Sequence, residues 1–446
     1  VTISIRINKF YSRGQRYALP STFNVAMLPV SEAEKIILNL VKPFTSKEDS
    51  EILPLLAANN RILAEDLISK WDFPHWNNSA MDGYALRYAD IADVSDWQNV
   101  QLAIAPYKIP AGMAVNKCLQ QGECVRIFTG GMLPHGADTV IMQEDTERLD
   151  NFLQLKVKPT QGEYVRHRGE FIKAGTTLVS VGTKLGATEI GALASARCQQ
   201  VRVYRQPKIA IISTGNELVS LECSQCLQSG QIIDSNLYAL STLITQSGAI
   251  AIPFGIVSDD QTEMELVIRK AIASADMIIS SGGVSVGDYD YIDKILEKIG
   301  ANIHVCSVAI KPGKPLTVAS LTRSLNVNES ENIILYFGVP GNPVSAMMSF
   351  WRFIRGTIMK LNGANSNFWY PQFIKAITAK DLHAQGRRET YLWGQLTYYN
   401  GNPIFQPINN YSSGNLMSTI STNAIAVMRV NQTYVPLGDE VMIMIV

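Results

Sequence analysis

Three glycine-rich loops, each closing a short apolar run, fall between residues 280 and 343: SSGGVSVGDYD over 280–290, KPGKP over 311–315 and GVPGNP over 338–343. Glycines let backbone N–H groups approach an anion closely, and each loop adds a charged or polar side chain. In the first loop Gly282, Gly283 and Gly287 supply the backbone, Ser285 a hydroxyl, and Asp288 and Asp290 carboxylates. A carboxylate beside a phosphate needs a cation between them, and Mg²⁺ is the usual one. In the second loop Lys311 and Lys314 flank Pro312 and Gly313, which suits a compact oxyanion or a diphosphate. In the third, Pro340, Gly341, Asn342 and Pro343 read as a strand end turning into a helix N-terminus that faces an anion. Together the loops describe one oxyanion pocket in an enzyme acting on a phosphorylated compound.

Two further acids sit at strand–helix junctions of the same stretch: Glu217 in STGNEL and Asp234 after Gln231-Ile-Ile. With Asp290 they form a candidate metal-binding set; as isolated residues they read equally well as helix caps. Asp82 before Gly83, and Thr129 in Phe128-Thr-Gly-Gly131, read from spacing alone as turn residues. Cys223 and Cys226 form a single CxxC with no second pair, and the five histidines are scattered, so a zinc or redox centre is not expected.

The elements that must position these loops follow from the pattern. From 206 to about 361, apolar strands (208–213, 249–257, 277–280, 302–310, 333–337) alternate with helices near 235–247, 260–274, 289–299 and 343–359. This describes a central doubly wound, largely parallel α/β domain, whose ligands bind at the carboxyl ends of strands. Residues 69–168 carry short β-rich runs separated by Gly, Pro and Asn, which implies an inserted, mostly β domain. Residues 27–68 and 169–205 have mixed character and are expected to join as one elongated α/β domain, with Ser31 capping a helix from Glu32. Residues 362–446 are β-rich again, a small barrel or sandwich. Residues 1–26 are basic and without periodicity, and are expected to be a disordered extension with no role in the core. Hydrophobic residues are 46% of the 446, charged residues 17%, and the formal net charge is zero. That charge argues against a general nucleic-acid or anionic-membrane binder. No apolar run approaches the roughly 18–20 residues of a membrane span. Six dispersed cysteines fit a reducing cytoplasm rather than a disulfide framework.

The motifs also occur together in a known family. NSAMDGYALR (78–87), RIFTGGMLPHGADTVIMQED (126–145), STGNEL (213–218), SGGVSVGDYDY (281–291), KPGKP (311–315) and GVPGNPVSA (338–346) stand in order. In these the chain resembles the molybdopterin molybdenumtransferases, meaning the bacterial MoeA proteins and the E domains of gephyrin-like proteins, from about Met27 to the end. The resemblance implies an elongated homodimer of four-domain subunits with the active site shared between them, so that Asp82 and Thr129 complete the pocket of the partner chain. It implies molybdate and adenylylated molybdopterin as substrates, Mg²⁺ as the assisting cation, AMP as a product, and a transient contact with a molybdopterin adenylyltransferase. Lys311, Lys314 and Ser285 would meet the molybdate, while Asp290, Asp234 and Glu217 would hold the cation. Arg387 or Arg388, and Ser412 or Ser413, would reach the molybdate side from the last domain.

The chain departs from the family pattern at Asn216, where Asp is frequent, at Phe171 in Gly169-Glu-Phe171, and at Leu392 in GRRETYLWG, where an arginine is expected. Two rival functions share parts of the pattern. One is a molybdopterin adenylyltransferase, whose phosphate loop ends in Gly-Thr-Gly rather than Gly282-Gly-Val-Ser-Val-Gly287. The other is a catalytically silent gephyrin-like scaffold, against which the retention of Lys311, Lys314, Asp290, Asp234 and Asp82 argues.

Overall fold

The computed structural model of the chain describes residues 27–223, 226–283, 292–323, 332–409 and 411–446. It divides into two compact units: 27–42, 207–358 and 369–446 in the first, 43–206 and 359–368 in the second. The N-terminal extension expected at 1–26 lies outside the described residues.

The first unit opens with α1 (Val30–Leu40), which follows Pro29 at its N-cap rather than starting after Ser31. Its place differs from the expected one. Leu28 bridges to Val308, and Glu34 pairs with Arg352, so these contacts group 27–42 with the α/β domain rather than with 43–68.

The α/β domain runs β1 (Lys208–Thr214), α2 (Ser235–Gln246), β2 (Ile250–Val257), α3 (Gln261–Ser274), β3 (Met277–Ser281), α4 (Ile292–Lys298), β4 (Asn302–Ser307), β5 (Pro315–Arg323), β6 (Asn332–Val339) and α5 (Pro343–Ser349). The sheet order is β2-β1-β3-β6-β5-β4. The pairs β2–β1, β1–β3 and β3–β6 are parallel, whereas β6–β5 and β5–β4 are antiparallel. The parallel strands are covered on both faces and so read as unbroken apolar runs; Ile209, Ala210, Ile211 and Ile212 are all fully buried. The sequence pattern did not single out β5. It follows the KPGKP loop directly, and Thr317, Ser320 and Thr322 interrupt its apolar residues, so it lacks the unbroken run that marks the parallel strands.

The C-terminal segment folds as a closed barrel of β7 (Phe373–Thr378), β8 (Glu389–Tyr399), β9 (Asn402–Pro407), β10 (Ala424–Met428) and β11 (Glu440–Ile445). Pairings run β8–β9–β7–β11–β10 and back to β8, which leaves no free edge around the ring. Its core holds Leu392, Phe405, Ala426, Met428 and Ile443. The two residues Ile310–Lys311 add in parallel to the start of β8, with Lys311 opposite Thr390.

In the second unit, Ser50–Pro54 pairs with Gln200–Tyr204 and Leu67–Ile68 with Thr177–Val179, so chain segments on either side of the inserted domain share one core around Leu63, Leu185, Leu193 and Val203. The inserted domain is a six-stranded sheet in the order Thr139–Met142, Gly83–Leu86, Glu123–Ile127, Gln101–Ile109, Phe152–Leu155, Thr146–Leu149. Asp72 clasps its two crossing points, accepting hydrogen bonds from Ala174 N at 2.9 Å and Arg168 Nε at 2.7 Å. These donors hold its carboxyl below the usual range. Phe171 exposes its side chain, so this departure from the expected pattern falls on the surface of this unit. Among the described residues no helix is long and apolar enough to cross a membrane.

Candidate functional site

The carboxyl ends of β1, β3 and β6 converge on a cavity of about 900 Å³ within the first unit. Two glycines make the convergence possible. Gly282 has φ +95°, and a Cβ there would lie 2.4 Å from the Thr214 carbonyl oxygen, so only glycine fits against β1. Its N–H donates to Val339 O at 3.1 Å, which joins the first loop to the third. Gly313, at φ +101°, turns the lysine loop, and the Val308 N–H donates to Lys314 O at 3.0 Å to close it.

Positive charge lines one side. Lys311, Lys314 and Arg388 all face the cavity, and none of them is paired with a carboxylate among the described residues. Pairing of Ile310–Lys311 with β8 brings the lysine loop to the barrel, and Arg388 Nη1 donates to Ile310 O at 3.1 Å. Three cations without an ion-pair partner among the described residues describe a site for an oxyanion or a diphosphate. The glycine turns at Gly282, Gly283 and Gly341 add close, uncharged stretches of wall.

Of the paired alternatives offered by the sequence, Arg388 and Ser413 line the cavity; Arg387 and Ser412 do not. Arg388 stands in the bend just before β8, where its hydrogen bond to Ile310 O ties it to the lysine loop, and Ser413 stands in the turn whose carbonyl receives the Val344 N–H. Pro340, Gly341, Asn342 and Pro343 are all in the wall. Pro343 opens α5, and the Val344 N–H donates to Ser413 O at 3.2 Å. Leu392 also lines the cavity while packing into the barrel core, so the wall there is hydrocarbon.

The acids are arranged unequally. Glu217 lines the cavity, with its carboxylate folded over Gly215. Asp234 caps α2, its Oδ1 accepting from Leu237 N at 3.1 Å, so the capping role is real. Its side chain is 2% exposed, yet Oδ2 has no hydrogen-bond partner among the described residues, as a carboxylate awaiting a further donor or a cation would have. No group of three metal-ligating side chains occurs among the described residues. Asp290, the third acid of the expected set, lies outside them, as do Ser285 and Gly287. Asn216 accepts from Asp259 N at 3.2 Å through Oδ1, a role that Asn and Asp fill equally well.

In the second unit Asp82 and Thr129 are brought together. Asp82 Oδ1 accepts from both the Thr129 N–H and the Thr129 hydroxyl, each at 2.8 Å. The backbone donor, then the hydroxyl, and more weakly the Arg126 charge, hold the Asp82 carboxyl below its ordinary value. Arg126 is itself fixed by a bond to Gly83 O at 3.0 Å and by lying over the Phe128 ring at 4.9 Å.

Several wall residues were not singled out in the sequence. His383 lines the cavity and stacks on Tyr434 with ring centroids 5.1 Å apart. Tyr411 also lines it, its hydroxyl pushed up to about 12 by burial. Tyr391 closes one wall from a buried network: its hydroxyl donates to the Glu389 carboxylate and accepts from Arg352 Nε at 3.0 Å, and Arg352 pairs with Glu34. Asn236, on the first turn of α2, bonds to two of the loops from behind. An amide two residues into a helix carries no signal in sequence, because the two partners that give it meaning are distant in the chain.

Comparison with known proteins accounts for nearly the whole chain. Family models match in order: the MoeA N-terminal region (domain I and II) over 28–196, a probable molybdopterin binding domain over 210–360, and the MoeA C-terminal region (domain IV) over 375–446. A molybdopterin molybdenumtransferase of Nostoc sp. is 47% identical over 94% of each chain. One from Haemophilus influenzae is 34% identical, covering 94% of this chain and 98% of its own. The crystal structure of the molybdopterin biosynthesis moeA protein of Pyrococcus horikoshii superposes with a TM-score of 0.78 at 27% identity, covering 94% of this chain and all of that one. With relatives this similar along both full lengths, the chain belongs to the molybdopterin molybdenumtransferase family of transferases.

Proposed function

We propose that the protein transfers molybdenum from molybdate into adenylylated molybdopterin, releasing AMP and leaving molybdenum cofactor. The observation that carries this reading is the cavity that Lys311, Lys314 and Arg388, without ion-pair partners among the described residues, line together with the glycine turns at Gly282 and Gly341. Molybdate is a compact tetrahedral dianion, and the substrate's diphosphate is a second anion. A site taking both needs concentrated positive charge and backbone that can come close.

The roles divide by chemistry. The glycine turns after β3 and β6 hold the diphosphate. Lys311, Lys314 and Arg388 receive molybdate and offset the charge that the two anions bring together. Ser285, outside the described residues, would join them at the molybdate and Gly287 would belong to the same loop, while Pro340, Asn342 and Pro343 stiffen the third. Glu217 and Asp234 suit a divalent cation, since one lines the cavity and the other keeps a buried carboxylate oxygen without a hydrogen-bond partner among the described residues. Asp290 would complete that set, and Mg²⁺ held there would neutralise the phosphoanhydride that breaks. In the overall reaction water opens the P–O–P bond, AMP leaves with its phosphate, and the two dithiolene sulfurs replace two oxygens on molybdenum, which depart as water with the thiol and solvent protons. The redox state of the metal does not change.

Asp82 and Thr129 are assigned to the cavity of a second copy in a homodimer, where the charged, preorganised carboxylate of Asp82 would face the reacting groups. The reaction is placed in the cytoplasm, whose reducing conditions keep a dithiolene and the six free cysteines as thiols. A transient contact with the adenylyltransferase that makes the substrate would spare a labile compound from water.

A substrate-choice experiment tests this reading. Given adenylylated molybdopterin and molybdate, the protein should release AMP. Given ATP and free molybdopterin, it should not consume ATP. ATP consumption would make it an adenylyltransferase, and silence in both arms would make it a scaffold.

A further inference from the structure

We propose that Asn236 is a positioning residue that sets the distance between two anion-binding loops of the cavity. The proposal rests on the functional reading above and adds a residue to it. Asn236 is 7% exposed and does not line the cavity. It sits on the first turn of α2, whose start is fixed by the Asp234 cap. Its single amide nitrogen donates twice, to Ser281 Oγ at 2.5 Å and to Gly341 O at 2.7 Å. Ser281 ends β3 and Gly341 follows β6, and both line the cavity.

The two loops touch with no side chain between them. A Cβ on Gly341 would stand 3.6 Å from the Gly282 Cα, and one backbone bond, Gly282 N to Val339 O, joins them. β3 and β6 are paired as far as Ser281 and Val339, and this bond is the last of that ladder before the two loops diverge. Asn236 supplies the second and third ties from behind the wall, and among the described residues it is the side chain whose hydrogen bonds reach both loops. The chemistry demands an amide: two N–H donors on one planar nitrogen point to two acceptors at once. A carboxylate of the same shape would set an oxygen against the Gly341 carbonyl and add negative charge behind an anion site. Because the residue acts on loops that grip the substrate in ground and transition state alike, its loss should appear mainly as weaker binding.

The test uses the full-length protein with Asn236→Ala, Asn236→Ser and Asn236→Asp, and two readouts. In steady-state kinetics, Asn236→Ala should raise KM for adenylylated molybdopterin by about tenfold, the loss of two ordinary hydrogen bonds, while kcat changes less. Asn236→Ser, which keeps one hydroxyl donor, should fall between it and wild type, and Asn236→Asp should be worst. In hydrogen exchange without substrate, amides of 281–283 and 339–342 should exchange faster in Asn236→Ala while those of β1 and β2 do not change. Adding Ser281→Ala to Asn236→Ala should cost less than Ser281→Ala costs alone, since the bond is already gone. A folded Asn236→Ala protein with wild-type KM and wild-type loop exchange overturns the proposal. So does faster exchange throughout the sheet with no excess at the loops, which makes Asn236 a framework residue. If wild type itself shows no turnover, the functional reading fails, while the exchange data still decide whether Asn236 ties the loops.

Discussion

Asp82 and Thr129 act as a single group, because two donors from one residue converge on one carboxylate oxygen. Both bonds favour the charged form, so the folded carboxyl titrates below the ordinary value. The sign follows: whatever stability this contributes is present above the unfolded pKa and is lost as pH falls through the lower folded one, so Asp82 is charged throughout the neutral range. Thr129→Val removes the hydroxyl donor but keeps the backbone N–H. The Asp82 pKa, read from carboxyl carbon shifts, should move up without reaching the ordinary aspartate value, and no movement would show that the hydroxyl bond is not formed in solution. The importance of the pair was legible in sequence only through family resemblance. The two positions are far apart in the chain, and it is the pairing of Gly83 with Ile127 that sets them side by side. At the cavity the sequence offered an arginine pair and a serine pair, and the member that lines the wall, Arg388 and Ser413, is set by loop contacts with Ile310 and Val344 that are distant in the chain.

At the scale of elements, the alternation of apolar strands and helices revealed the α/β domain, because buried parallel strands leave little freedom in composition. The same pattern passed over β5, whose apolar residues are interrupted by Thr317, Ser320 and Thr322, and misplaced α1, whose partners lie some three hundred residues on. That misplacement has an energetic consequence. Glu34 on α1 pairs with Arg352, in a π-helical turn after α5, where the two side chains are 14% and 8% exposed. Arg352 also donates to Tyr391 on the cavity wall, so α1, the α/β domain and the barrel meet at one guanidinium. Glu34→Ala should lower stability by about 3 kcal/mol, the cost typical of leaving a buried charge without its partner. Urea unfolding followed by a probe in the first unit would measure it. Glu34→Ala combined with Arg352→Met should recover much of the loss, since no charge is then stranded; an unrecovered double variant would show that packing, not charge, holds α1 in place.

At the scale of the whole molecule, the account divides the catalytic groups between the α/β and barrel elements of one copy and the inserted domain of another. A Lys311→Ala/Lys314→Ala variant and an Asp82→Ala variant should each be nearly inactive alone. Mixed and allowed to exchange subunits, they should regain about a quarter of wild-type turnover, because half of randomly mixed dimers would each hold one complete site. A mixture as inactive as its parents would place all the groups within one copy. The claim beneath all of this is that the lysine-lined cavity passes molybdenum to a substrate that gives up AMP. It is tested most directly by counting AMP released per molybdenum incorporated as molybdate is raised. The account predicts one AMP per molybdenum, saturation in molybdate, and a half-saturating concentration at least about tenfold higher in Lys311→Ala, for the loss of one charge-assisted contact. AMP release that proceeds equally with and without molybdate would contradict it.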